Sequence, residues 1–78
     1  MTGLSRFQVL RRFETAYGMP PHAWLLQHRT ERARSFIRTG QSLAETAALC
    51  GFADQSHMTR IFVRTYGVSP RAYADAIL

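Results

Sequence analysis

The sequence predicts an all-α fold in which two helix-turn-helix units are joined by one long central helix. Apolar side chains recur at helical spacing throughout the chain, and no segment alternates polar and apolar residues as a strand would. Residues 41–70 have the pattern of a short helix, a glycine turn and a second helix that ends at Gly67. A repeat between the two ends of the chain indicates a second unit of the same kind.

The composition is typical of one small soluble globular domain. The chain has 78 residues, 46% of them hydrophobic, with no apolar run long enough for a membrane span or a signal peptide. Its single cysteine, Cys50, excludes an internal disulfide, and the three histidines lack metal-ligand spacing. We therefore expect a cytoplasmic, nucleoid-associated protein that has no membrane partner, no metal and no other cofactor.

The charge of the chain favours a polyanionic partner. All ten basic residues are arginines, against five acidic residues, which gives a net charge of +5. A basic excess on a small domain is typical of proteins that bind polyanions, and the planar guanidinium group suits a phosphate or a guanine edge. A surface on which the arginines only keep the protein soluble is the alternative from composition alone.

Start and stop signals along the chain predict five helices. Ser5, Ser42 and Asp54 are the predicted N-caps, and Ser42 is expected to form a capping box with Glu45. Gly18 is expected to end the first helix, and a Pro-Pro pair begins the second. The predicted spans are about 5–17, 21–39, 42–49, 54–66 and 70–76.

The predicted core residues share one face of each helix. Arg29 and Arg32 lie near them, and each is expected to bury its stem and pair its head with Glu31 or with a helix C-terminus. The positions expected to be buried are Val9, Leu10, Phe13 and Tyr17 on the first helix; Trp24, Leu25, Ala33, Phe36 and Ile37 on the second; Leu43, Ala47 and Leu49 on the third; Met58, Ile61 and Phe62 on the fourth; and Tyr73 and Ile77 on the last.

An ungapped repeat relates residues 11–24 to residues 60–73. A shift of 49 residues places RRFETAYGMPPHAW over RIFVRTYGVSPRAY with six identities. The helix and turn SLAETAALCGF precede the second copy, whereas only four residues precede the first predicted helix. The predicted division is a partial first helix-turn-helix unit over 1–19, a central linker helix over 20–40, and a complete second unit with a terminal helix over 41–78.

Residues 4–73 resemble the DNA-binding domain of AraC/XylS-type bacterial transcription regulators. The strings that carry the resemblance are A-x-x-C-G-F-x-D-Q-S-H-x-x-R-x-F and, at a fixed distance, Y-G-V-S-P-x-x-Y. In that family two homeodomain-like helix-turn-helix units each place a recognition helix in the major groove of promoter DNA. The resemblance implies sequence-specific binding of double-stranded promoter DNA, with RNA polymerase as a further candidate partner. About two helices of the family's domain have no counterpart ahead of residue 4.

The expected DNA contacts lie on two helices. Arg60 has the side chain for a bidentate contact with guanine, with a phosphate contact as the alternative, and Arg64 is expected to contact the backbone. The second-unit positions are Gln55, Ser56, Thr59, Arg60 and Arg64, and the first-unit positions that the resemblance implies are Arg6, Phe7, Leu10 and Arg11.

Several of these positions have a second interpretation. Gln55 could pair with adenine or cap its helix, and Ser56 and Thr59 suit phosphate or sugar better than a base edge. Phe7 could contact a thymine methyl group or belong to the core. Leu10 occupies a position that is often polar in the family, which weakens the case for hydrogen-bonded base recognition there.

Two other functions are compatible with the sequence. Without a partner helix, the first helix would expose part of its apolar stripe, which favours self-association or protein binding by a truncated remnant. A general nucleic-acid binder would show a steep salt dependence and no sequence preference. Catalysis has no support, because Ser56 and His57 are adjacent on a helix and do not face each other.

Overall fold

The computed structural model describes residues 3–78, which form five α-helices and no strand. The helices are α1 (Arg6–Tyr17), α2 (Pro21–Arg38), α3 (Leu43–Leu49), α4 (Gln55–Tyr66) and α5 (Pro70–Ile77). The predicted all-α fold is confirmed, and the predicted helix ends agree with these bounds to within a residue. Met1 and Thr2, at the start of the predicted first unit, lie outside the described residues.

The N-terminal caps explain why the short helices begin where they do. The Ser5 hydroxyl accepts from the Gln8 N–H at 3.1 Å, and the Gln8 side chain accepts from the Ser5 N–H at 2.9 Å, so α1 has a full capping box. At α3, Ser42 accepts from the Glu45 N–H at 3.1 Å as predicted. The predicted capping box there is wrong in its second half, because the Glu45 carboxylate accepts from the Gln41 side-chain amide instead.

The core lies where α2, α3 and α4 meet. Phe62 and Ile37 are completely buried, and α2 packs against all four of the other helices. Beside them, the buried cluster consists of Ala33, Ala47, Cys50, Phe52, Met58 and Ile61, with Leu26, Phe36 and Leu43 partly buried against it. The tightly packed part of the molecule is therefore the end that carries α3, α4 and α5.

Six of the residues predicted to be buried are exposed instead. Among the described residues, α1 has none that is buried, because it packs against α2 and leaves its other faces to solvent. On α3 the buried positions include Thr46 rather than a leucine; its hydroxyl donates to the Ser42 carbonyl at 2.7 Å, which removes the cost of burying it. The wrongly predicted positions are Val9, Leu10, Tyr17, Leu25, Leu49 and Ile77.

The sequence repeat is also a structural repeat. Helices α1 and α4 have 12 residues each, and their first residues are separated by the shift found in the sequence. Each ends at a glycine in the left-handed region, Gly18 at φ 77° and Gly67 at φ 80°. The N–H of Gly18 donates to the Glu14 carbonyl at 2.7 Å, and that of Gly67 donates to the Val63 carbonyl at 2.8 Å.

Equivalent aromatic side chains lie before and after each of these two glycine turns. The first aromatic trio consists of Phe13, Tyr17 and Trp24, with ring centres 4.5 to 5.9 Å apart. The second aromatic trio consists of Phe62, Tyr66 and Tyr73, in which Phe62 lies 4.8 Å from Tyr66 and 5.7 Å from Tyr73. The two trios differ in burial, since Phe62 is completely buried whereas its counterpart Phe13 is only half-buried.

Gly51 forms the turn between α3 and α4, and it gives the first testable prediction. Its φ is 85°, and a Cβ on it would lie 3.2 Å from Nε of Arg29. Gly40 has a similar φ of 88°, but a Cβ there would meet no other atom within 4 Å. We expect Gly51→Ala to lower the free energy of unfolding by more than Gly40→Ala, which should lose about 1–2 kcal/mol from the backbone alone.

Urea unfolding of the two alanine variants measures the difference. Equal losses of stability in the two variants would show that the Arg29 side chain does not constrain the turn.

The predicted role of Arg29 had two alternatives, pairing with Glu31 or with a helix C-terminus. Its guanidinium group lies at the C-terminal end of α3 rather than beside Glu31.

Candidate nucleic-acid interface

Asp54 and His57 fix the start of α4 relative to the turn that precedes it. The Asp54 carboxylate accepts from the His57 N–H at 2.7 Å, which confirms the predicted N-cap. The His57 Nδ1 atom in turn accepts from the Ala53 N–H at 3.2 Å, and its ring lies edge-on to the buried Phe52 at 5.4 Å. The side chains of Asp54 and His57 therefore fix the backbone of the loop before α4 relative to the first turn of the helix.

One face of α4 is exposed and polar, and the opposite face is buried. Ser56, Arg60 and Arg64 lie at successive intervals of four residues, so they form one continuous exposed row along the helix. Gln55 and Thr59 form the neighbouring row, in which Gln55 is exposed and Thr59 half-buried. The buried face consists of Met58, Ile61 and Phe62.

This arrangement places donors and acceptors where a groove of DNA could receive them. An arginine fork on the exposed row can donate two hydrogen bonds to guanine or to a phosphate. The capping alternative for Gln55 is not observed, because Asp54 is the N-cap of α4. The side chain of Gln55 is thus left for other contacts.

The corresponding residues of α1 are all exposed. The 49-residue shift places Arg6 on Gln55, Phe7 on Ser56, Leu10 on Thr59 and Arg11 on Arg60. Phe7 is 64% exposed, so its alternative as a core residue is wrong within the described chain. The Cζ atom of Arg11 lies 5.2 Å from the centre of the Phe7 ring.

Two arginines of α2 pack against aromatic rings. The guanidinium group of Arg34 lies over the Tyr66 ring at 5.0 Å, and that of Arg32 lies over the Phe36 ring at 5.9 Å. Phe36 packs against the core, and Tyr66 belongs to the second aromatic trio. The predicted pairing of Arg32 with a carboxylate or a helix end is thus replaced by a contact with an aromatic ring.

No group of three or more histidine, cysteine or acidic side chains in residues 3–78 is arranged to hold a metal ion. Burial raises the pKa of the Cys50 thiol, with the nearby charge of Arg32 acting in the opposite direction, and the side chain packs as a small apolar residue at the end of α3. Within the same residues, no helix has the length and apolar character needed to cross a membrane.

Two features of the interface were missed by the sequence analysis. The acceptor role of His57 depends on the path of the turn at residue 53, which no sequence pattern specifies. The contact between Phe7 and Arg11 could have been found, because the two residues are four apart and therefore neighbours on a helix.

Comparison with known proteins gives consistent matches to one kind of domain. Residues 1–76 match the helix-turn-helix domain family. The chain is 37% identical over 71 residues to the probable transcriptional regulator LumQ of Photobacterium leiognathi, and 35% identical over 71 residues to the HTH-type transcriptional regulator MtrA of Neisseria gonorrhoeae. The first match covers 90% of this chain and 29% of the relative, and the second covers 90% and 24%.

A solved structure agrees with the fold. The structure of the xylose-binding transcription activator xylR superposes with a TM-score of 0.81 at 29% sequence identity, over 95% of this chain and 20% of that one. The xylose operon regulatory protein of Escherichia coli strain K12 is 31% identical over 74 residues, which cover 94% of this chain and 19% of that protein. The present chain thus spans less than a third of the length of each of these relatives.

Proposed function

Because the chain belongs to the AraC/XylS-type helix-turn-helix family of transcription regulators, we propose that it binds double-stranded promoter DNA sequence-specifically. In this role α4 is the recognition helix of the complete unit and lies in the major groove. The exposed row of Ser56, Arg60 and Arg64 on α4 is the observation that carries the proposal, since it lies opposite a fully packed face and is held by a capped turn. The net charge of +5 suits a polyanionic partner.

The residues of α4 have different roles in this proposal. Arg60 donates to the O6 and N7 atoms of a guanine, and Gln55 pairs with an adenine. Ser56 and Thr59 contact phosphate or sugar, and Arg64, one turn beyond Arg60, contacts the phosphate backbone. Backbone contacts fix the position of the helix, and base contacts supply the specificity.

Helix α1 is proposed to enter the adjacent major groove through Arg6, Phe7, Leu10 and Arg11. The 18 residues of α2 make a spacer about 27 Å long. The whole molecule extends 50 Å along its longest axis. Successive major grooves on one face of DNA are about 34 Å apart, so one chain of this length can reach two of them.

Selection from random duplex DNA with the purified 78-residue chain tests the proposal and gives the second prediction. We expect enrichment of a motif with two parts about 10 base pairs apart, at near-physiological salt. A motif with only one part would assign DNA recognition to α4 alone. No enrichment by a chain whose circular dichroism shows folded helices would contradict the proposed function.

The salt dependence of binding separates this function from general nucleic-acid binding. A sequence-independent binder loses affinity equally for all duplexes as salt rises, since it depends on released counterions alone. Here we expect the selected duplex to remain bound at salt concentrations that release a scrambled duplex of the same composition.

The proposal extends to two partners and a location. We propose that the chain acts at the nucleoid in the cytoplasm. RNA polymerase is the proposed partner through which it would activate transcription. Self-association is proposed through exposed apolar side chains of α1 that are not assigned to DNA, such as Val9. Sedimentation of the chain with and without Val9→Ser measures this last part directly.

A further inference from the structure

Trp24 lies at the centre of the contact between α1 and α2. Helix α1 packs against α2, and none of its residues is buried. Its aromatic contact with α2 is made by Phe13 and Tyr17, whose ring centres lie 5.9 and 5.6 Å from that of Trp24. A helix without buried residues has few other contacts that hold it in place. The position of α1 therefore depends on where the Trp24 ring lies.

The imidazole ring of His28 stacks on the Trp24 indole. The two ring centres are 5.2 Å apart, and the ring planes differ by only 3°. Because atoms in contact are about 3.5–4.0 Å apart, parallel rings at this distance are displaced sideways, which is the offset stacking that aromatic pairs prefer. His28 lies one helical turn after Trp24 and is itself exposed, so burial in the core does not account for its position. A flat ring placed in this way restricts rotation of the indole, since a turned indole would lose the stack.

The second unit has a different arrangement at the equivalent place. The 49-residue shift places Tyr73 on Trp24 and Ile77 on His28. Ile77 has no ring to stack and is 44% exposed. The second unit does not depend on such a stack, because Phe62 on α4 is completely buried in the core. The stack thus occurs in the unit whose helix has no buried residue.

Building on the proposed binding to two major grooves, we infer that His28 is a positioning residue for α1. Its stack holds the Trp24 ring in the orientation against which Phe13 and Tyr17 pack, and this fixes the direction in which α1 extends from the central helix. Two half-sites on one face of DNA are bound together only when both recognition helices are directed at their grooves. A binding site of this kind needs supporting residues whose own rotamers are fixed by packing.

Hydrogen exchange of the free chain tests the positioning role without DNA. His28→Ala removes the stack, and an aromatic pair of this kind changes an equilibrium constant about two- to tenfold. We expect the amides of α1 to exchange faster by that factor, while those of α4 exchange at the rate of the parent chain. His28→Phe keeps a flat ring at the same place and should restore the slow exchange of α1.

His22 supplies the matched control. It is also an exposed histidine of α2, but it lies two residues before Trp24, a spacing at which helical side chains do not face each other. We expect His22→Ala to leave the exchange of α1 unchanged. Trp24 is the only tryptophan of the chain, so its fluorescence anisotropy gives a second measurement. The indole should rotate faster in His28→Ala, and at the parent's rate in His28→Phe and His22→Ala.

DNA binding tests the consequence for function. One duplex carries both selected half-sites, and a second carries the α4 half-site with the α1 half-site scrambled. As the temperature rises, His28→Ala should lose its preference for the first duplex at a lower temperature than the parent chain, because a smaller fraction of its molecules has α1 correctly placed. Both proteins should bind the second duplex equally well.

The possible results separate this inference from the function on which it rests. If His28→Ala left the exchange of α1 unchanged, or accelerated that of α4 equally, His28 would not be a positioning residue. Equal effects of His28→Ala and His28→Phe, or the same loss temperature for variant and parent, would also overturn the inference. Failure of the parent chain to prefer any duplex would instead contradict the proposed function, while the exchange rates would still show whether His28 fixes α1.

Discussion

Replacing Phe62 with alanine should remove a large part of the free energy of unfolding of the chain. Phe62 is completely buried, and removing so large a side chain from a packed core typically costs about 3–5 kcal/mol. A domain of 78 residues has a total stability of only about 4–12 kcal/mol, so the loss is a large fraction of it. Urea titration followed by helical circular dichroism would show a midpoint shifted to much lower denaturant.

The structural repeat supplies a matched control for this variant. Phe13 is the counterpart of Phe62 and stands in an equivalent aromatic trio, but it is half-buried. We expect Phe13→Ala to cost about 1–2 kcal/mol, because less apolar area returns to water. If the two alanine variants lost equal stability, the core would not be concentrated at the α3–α4–α5 end of the molecule.

Arg60→Ala should remove discrimination at one base position of the DNA site. Arg60 is exposed on the row that we propose to face the major groove, and a bidentate contact between arginine and guanine is worth about 1–3 kcal/mol of discrimination. The variant should bind duplexes with any base at that position almost equally well. Affinities for the selected duplex and for its three single-base replacements measure the change.

Arg64 is the control for the Arg60 experiment. It lies on the same exposed row one turn later, so Arg64→Ala removes the same charge from the same helix face. We expect it to weaken binding to all four duplexes about equally and to reduce the slope of affinity against salt by about one phosphate contact. The proposed division between base and backbone contacts would be wrong if the two variants showed the same pattern of losses.

The sequence predicted the helices well because each end has a local chemical cause. Asp54 caps α4 through its own side chain, and the glycines that end α1 and α4 adopt a left-handed conformation that other residues avoid. Such signals lie within three or four residues of the end they determine. The repeat added evidence over a longer range, since it predicted that α1 and α4 would end in the same way.

The predicted core was less accurate because burial depends on what packs against a helix. Periodicity showed that Val9 and Leu10 share a helix with Phe13, but it could not show that solvent lies beside them. The prediction also assigned Leu49 to the core because leucine is apolar, whereas Thr46 takes a buried position by bonding its hydroxyl to the backbone.

The DNA contacts stay a prediction, but the sequence could indicate which positions of α4 and α1 are open to solvent, although not the contacts among them. The resemblance identified the exposed positions of α4 and α1 because they lie at fixed distances from the glycine turns. The contact between Arg11 and Phe7 and the hydrogen bond from the Ala53 N–H to His57 depend on rotamers and on turn geometry.

Because the two aromatic trios are buried to different extents, we expect the two units to differ in how readily they open locally. Segments with few buried contacts open locally at a free energy below that of global unfolding, so amide hydrogens of α1 should exchange with solvent sooner than those of α4. An opened α1 cannot occupy a groove, and apparent affinity falls in proportion to the fraction that is closed. On warming, α1 should therefore dissociate from its half-site of the DNA first, at temperatures at which α4 is still bound to the other half-site.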